Sequence, residues 1–187
     1  IRPDGHTPDP HLWHDAGLWR EATYALGDTL ARLLPHLAED VRRRADRLAD
    51  SLGALDRWAQ AELGRVPADR RYLVTAHDAF AYFGRAYGFE VRGVQGLSTT
   101  AEAGLRDVQQ LIDLLVARRI PALFVESSVP RRSVEAVLEG CRKRGHTCQL
   151  GGELHSDAPG QPPAHTYAGL FRHNTSTIAR ALGRAQP

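Results

Sequence analysis

The chain has 187 residues, 24 Lys plus Arg against 22 Asp plus Glu, and 42% hydrophobic side chains. That length buries a sizeable core without help from its two cysteines, and no run of about 18 apolar residues is present to span a bilayer. A net charge of +2, almost all of it Arg interleaved with acids and with Lys143 as the only lysine, gives no basis for a nucleic-acid or anionic-membrane partner.

The chain contains no methionine and opens at Ile1, so it is expected to be a processed or trimmed product, with any export signal upstream. Residues 1–10 carry three prolines and read as the end of a surface loop. A helix is predicted over 13–34, broken near Pro35, and a second over 36–64. In the second, Leu37, Val41, Ala45, Leu48, Leu52, Leu55, Ala59 and Leu63 recur at steps of three and four, with Arg and Asp on the other face. At 1.5 Å per residue this helix is about 40 Å long, enough to act as a strut between lobes. Gly64 and Pro67 end it.

From Arg70 onward short apolar runs at 72–76, 91–94, 122–126 and 147–150 alternate with helical patterns at 78–87, 101–118, 131–144 and 166–182. That alternation predicts an α/β fold: βαβ units around a parallel four-stranded sheet flanked by helices.

Open α/β sheets bind ligands beyond the carboxyl ends of their strands. The polar residues there are His77 and Asp78, then Glu126, Ser127 and Ser128, then His155, Ser156 and Asp157. The N-terminal piece adds His11 and His14 where a Pro-rich loop enters a helix. Imidazole with carboxylate oxygen suits Zn²⁺ or Mn²⁺. Spacing alone does not settle the matter, because neither H-E-x-x-H nor paired C-x-x-C occurs. A phosphate-cradling glycine loop and a nucleophile elbow are also missing from the sequence. Cys141 and Cys148 flank a helix-to-strand corner, as two small buried residues or, in an exported protein, as a disulfide pair. His146 in that corner reads as solvated and His165 as surface.

The segments DPHLWHD, LVTAHDAFAYFGRAYGFEVRGVQGLST, LFVESSVP, GGELHSDAPG and TYAGLFRHN resemble, in order over residues 9–182, the TroA-like zinc and manganese solute-binding proteins of bacterial ABC importers. The resemblance implies two α/β lobes joined by one long rigid helix, with the metal between them. On that reading residues 1–35 are a remnant of the N-terminal lobe, 36–66 the linking helix and 67–187 the C-terminal lobe.

The metal ligands it implies are His11, His77 and Asp157, with a further His upstream of Ile1. Manganese-preferring relatives often carry Glu at the position of His77. His6 resembles the tail of a variable His-rich loop, and Pro159 replaces the Leu or Met common in relatives. His14, His155 and His173 are expected to support the site or the scaffold, and Glu126 is a candidate to orient a ligand histidine.

The implied function is non-enzymatic: capture of zinc or manganese outside the cytoplasm, in the periplasm or lipid-anchored at the cell surface, and delivery to an ABC permease in the membrane. The competing reading is a metal-dependent hydrolase with Glu126 or Glu153 as base, and a third is an adhesion protein stabilised by its metal. With three ligands, binding is expected to be weaker than in a four-ligand site, and exposed core to leave an apolar patch. Affinity is expected to fall as pH drops below about 6.5, where free imidazole protonates.

Overall fold

A computed structural model of the chain describes residues 8–97, 104–127 and 131–183. Two antiparallel helices lead: α1 (Ala16–Leu33), capped by Asp15, whose carboxylate accepts the Leu18 N–H at 3.0 Å, and α2 (Ala38–Leu63). The α/β part follows as β1 (Tyr72–His77), α3 (Ala81–Tyr87), β2 (Glu90–Gln95), α4 (Leu105–Ala117), β3 (Ala122–Glu126), α5 (Arg132–Lys143), β4 (Gln149–Leu154) and α6 (Tyr167–Gly183). The predicted helix over 101–118 begins in part outside the described residues.

Among the described residues all strand pairing is parallel, but it forms two pairs, β1–β2 and β3–β4, rather than one continuous four-stranded ladder. β1 and β3 lie side by side between them, giving the spatial order β2–β1–β3–β4. At the carboxyl end of that seam the His77 N–H is taken by the Glu126 side chain at 2.8 Å instead of by a strand carbonyl. The chain leaves β1 in one direction and returns to β3 in the other, so the seam is the point where the winding reverses. Such a point opens a crevice at the strand ends.

The strands alternate with period two between two apolar layers. Leu73, Ala122 and Phe124 face a layer built with Leu55, Ala59 and Leu63 of α2, Phe80, Phe83, and Phe171 and Ile178 of α6. Val74, Ala76, Leu123 and Val125 face the opposite layer, with Leu111, Leu115, Val134, Val137 and Cys141 of α4 and α5.

The last strand differs from expectation in extent. It runs on to Leu154 because Gly151-Gly152 is a bulge and not a stop: Leu123 pairs with Leu150, and Phe124 with Gly152. A Cβ on Gly151 would stand 2.6 Å from the Phe124 ring, so only glycine passes there.

The apolar stripe of α2 is buried only in its C-terminal half. Leu52, Leu55, Ala59 and Leu63 are buried, while Leu37 and Leu48 are about half exposed. Leu26 and Leu33 of α1 are also largely exposed.

The two cysteines are free thiols, which corrects the disulfide alternative. Cys141 is buried in the α4–α5 layer and Cys148 packs partly against it. Burial, with Cys141 close by, pushes the Cys148 thiol up to about 12.

Candidate metal centre

His77 is the last residue of β1 and is completely buried. Its Nδ1 lies 2.6 Å from Glu126 Oε2, at the end of the neighbouring β3. Both Glu126 oxygens therefore address one residue, the ring and the backbone N–H of His77. That contact fixes the ring and aims Nε2 out of the sheet. Gly93 on β2 makes room for this geometry, since a Cβ there would stand 2.7 Å from the His77 carbonyl carbon and 2.5 Å from the Asp78 nitrogen.

His11 arrives from the N-terminal segment and is also buried. Asp9 Oδ1 accepts the His11 N–H at 3.0 Å and lies 2.6 Å from its Nδ1. The intervening Pro10 stiffens the backbone in this Asp-Pro-His turn. The segment is tied down by Tyr82 of α3, whose hydroxyl donates to the Asp9 carbonyl at 3.3 Å, and by Tyr167 of α6, which donates to the Trp13 carbonyl at 2.9 Å.

Asp157, on the loop after β4, completes the group. One carboxylate oxygen is 3.3 Å from His11 Nε2 and the other 3.5 Å from His77 Nε2. Each of the three residues offers an atom within 4.8 Å of the others. A tetrahedral zinc shell with bonds of 2.0–2.1 Å places its ligands about 3.4 Å apart, so these spacings fit a small divalent cation. In both histidines Nδ1 faces a carboxylate and Nε2 faces the third ligand, the arrangement by which carboxylates orient metal-binding imidazoles.

The same carboxylates set the protonation. Burial works against a charged His77, but Asp157 and Glu126 outweigh it and raise its pKa to about 9. His11 is raised likewise, Asp157 and Asp9 overcoming its burial. In the metal-free protein, protons on the imidazoles thus balance carboxylates that a cation would otherwise balance. Replacing Glu126 by Gln keeps the shape and removes the charge behind His77. Zinc affinity is expected to fall about 10- to 100-fold, measured by calorimetric titration.

The remaining histidines stand outside the group. His14 is buried, stacked on Phe80 with centroids 4.2 Å apart, and burial drives its pKa down to about 3, so it is a neutral scaffold residue. His155 and His173 sit with centroids 4.8 Å apart; His173 Nε2 contacts the Glu153 carbonyl at 2.9 Å. His165 is exposed. His146 is not solvated as expected: its Nε2 is 2.8 Å from the Ile120 carbonyl. His6 and Ser128 lie outside the described residues. Neither candidate base is free for hydrolysis, because Glu126 is spent on His77 and Glu153 pairs with Arg131 at 3.0 Å on the surface.

Sequence reasoning left the roles of Asp9, Trp13 and Asn174 unread. The signal for Asp9 was local: an Asp two residues before a His reaches that residue's own backbone N–H. Asn174 is a buried polar residue on the sheet-facing side of a helix, and its His155 partner is visible only in the fold.

The fold and donor set define a class: an α/β protein whose switch point presents two carboxylate-backed imidazoles and a carboxylate oxygen suited to a divalent transition metal. By sequence the chain belongs to the ZnuA family, described as zinc-uptake complex component A, periplasmic, which it matches over residues 2–181. It is 48% identical over 181 residues to the manganese-binding lipoprotein MntA of Bacillus subtilis (strain 168), covering 96% of this chain and 59% of that protein. It is 45% identical over 178 residues to the zinc-binding protein TroA of Treponema pallidum (strain Nichols), covering 94% and 58%. The solved structure of periplasmic TroA from Treponema pallidum aligns with a TM-score of 0.92 at 43% identity, over 98% of this chain and 67% of that one. The chain therefore spans somewhat under three fifths of the length of the curated relatives it matches.

Proposed function

We propose that this chain is the metal-capturing part of an extracytoplasmic solute-binding protein, with His11, His77 and Asp157 as ligands to zinc or manganese, and that its protein delivers the ion to an ABC permease. The observation that carries the reading is the convergence of the three donors, each imidazole backed by its own carboxylate. Family membership and the zinc- and manganese-binding relatives support it. Among the described residues no helix is long and apolar enough to cross a membrane.

The division into a residual N-terminal lobe (1–35), a linking helix (36–66) and a C-terminal lobe (67–187) is part of the same proposal. It is supported by α1 pairing with α2, and by α2 packing on α6 beside the sheet.

In this reading the protein performs no chemistry on its cargo. Capture is an exchange of protons for a cation at two imidazoles, and release is the reverse. The crevice position leaves the ion reachable through Asp157, whose side chain is about one third exposed. Three protein donors leave a coordination position for water or a further ligand.

Zinc is expected to bind more tightly than manganese, as it does at nitrogen and oxygen sites generally. Calorimetry should give one zinc per chain, with manganese displaced by equimolar zinc. Turnover of phosphate or carboxylic esters by the zinc-loaded chain would instead establish the hydrolase.

A further inference from the structure

Unlike His77, which ends β1, Asp157 stands on a loop. It lies in the connection between the end of β4 at Leu154 and the start of α6 at Tyr167. Its carboxylate nevertheless spans two buried imidazoles at 3.3 and 3.5 Å. Two side chains hold the segment leading to it.

Asn174 of α6, 2% exposed, directs both ends of its carboxamide at a single residue: Oδ1 accepts the His155 N–H at 2.9 Å, and Nδ2 donates to the His155 carbonyl at 2.7 Å. A primary amide used this way satisfies both backbone groups of one residue, as a neighbouring strand would, just past the end of β4.

Trp13, from the N-terminal segment, donates its indole N–H to the Ser156 carbonyl at 2.9 Å. That carbonyl belongs to the peptide joining Ser156 to Asp157, so its orientation bears directly on where the carboxylate points. The Trp13 ring also meets His11 edge-on, with centroids 5.3 Å apart, and its own carbonyl is held by Tyr167. One residue thus touches the first ligand and steers the third.

We propose that Trp13 and Asn174 are positioning residues, a two-sided clasp that presets Asp157 between His11 and His77. This rests on the reading of those three residues as ligands. Filling space would require only the Trp13 ring, whereas the clasp requires its N–H. Asn174 must likewise present a donor and an acceptor together, which neither Asp nor Ala can do.

The test is a set of double-mutant cycles on zinc affinity. Trp13→Phe keeps the ring and removes the donor; Asn174→Ala removes the amide. Each is expected to lower zinc affinity about 10- to 100-fold in the parent chain. In the Asp157→Ala background each should cost much less, because the group being positioned is gone. The bound Co²⁺ spectrum should shift in both single variants, as the oxygen donor moves.

Losses of equal size in both backgrounds would overturn the clasp, since they would show a general loosening that does not act through Asp157. Parental affinity in Trp13→Phe and Asn174→Ala, with Asp157→Ala impaired, would overturn the clasp and leave the metal site standing. Parental affinity in Asp157→Ala itself would overturn the site and the clasp together. Should Asn174→Ala not fold, Trp13→Phe decides the matter alone, its fold checked by circular dichroism.

Discussion

Replacing His77 by Ala is expected to weaken zinc binding by more than a hundredfold, while replacing His165 by Ala leaves it within error of the parent. The magnitude follows from complete four-donor zinc sites, whose affinity of about 10–16 kcal/mol comes to about 3 kcal/mol per donor. At 1.4 kcal/mol per factor of ten, that is over two decades. His77 is a severe case, because its removal also strands the Glu126 carboxylate, buried with both oxygens directed at that residue. His165, exposed on the loop before α6, has no such consequence. Calorimetric titration of the three proteins checks the order, and equal affinity for His77→Ala and parent would remove His77 from the ligand set.

Zinc affinity is also expected to climb steeply with pH up to about 9, well beyond the range in which free imidazole titrates. The metal needs neutral His77, but Asp157 and Glu126 hold its proton up to about 9 against burial. Below that value each pH unit removes about a factor of ten from the apparent affinity through His77 alone. Below the raised pKa of His11 the second imidazole joins, and the loss approaches a factor of about one hundred per unit. Between one and two protons should therefore be released per zinc at pH 7, read from titrations in buffers of different ionisation enthalpy.

The stability of the metal-free chain runs the other way. A folded-state pKa raised above the ordinary 6.5 stabilises the fold fully below pH 6.5, and that contribution is lost as pH rises through about 9. Thermal unfolding of the metal-free chain should accordingly show His77 contributing less at pH 9 than at pH 6. Affinity unchanged between pH 7 and 9, with no proton release, would contradict the carboxylate-backed geometry.

Much of this molecule was legible before any fold was seen, for identifiable reasons. The alternation of short apolar runs with helical patterns is a local signal, and it places the runs at 72–76 and 122–126 where β1 and β3 lie. His77 and Glu126 stand at strand ends, so a general rule about parallel sheets places them at a crevice. The same rule lists Asp157 after β4, and the loop-to-helix entry adds His11, but singling these two out from neighbours such as His14 and His155 came only through resemblance, since nothing in their spacing joins residues so far apart in sequence.

What stayed hidden depends on tertiary context. The sequence shows an apolar run only over 147–150, whereas the strand passes through a bulge at Gly151-Gly152 to Leu154, and a Cβ on Gly151 would meet the Phe124 ring across the pair. The α2 stripe is uniform as a pattern but buried over half its length, because only its C-terminal half meets the sheet layer. The imidazole pKa values follow from carboxylates that approach through space, Glu126 from another strand and Asp157 from a later loop, so an expectation near 6.5 was too low for His77.

X-ray absorption at the zinc edge, on the chain loaded with one equivalent, addresses the ligand assignment most directly. The structure predicts a nitrogen and oxygen shell at about 2.0–2.1 Å, the multiple-scattering signature of two imidazoles, and no sulfur near 2.3 Å, since Cys141 and Cys148 lie in and against the α4–α5 layer. In His77→Ala one imidazole should disappear from that signature. Sulfur in the shell, or an imidazole count unchanged by the substitution, would contradict it.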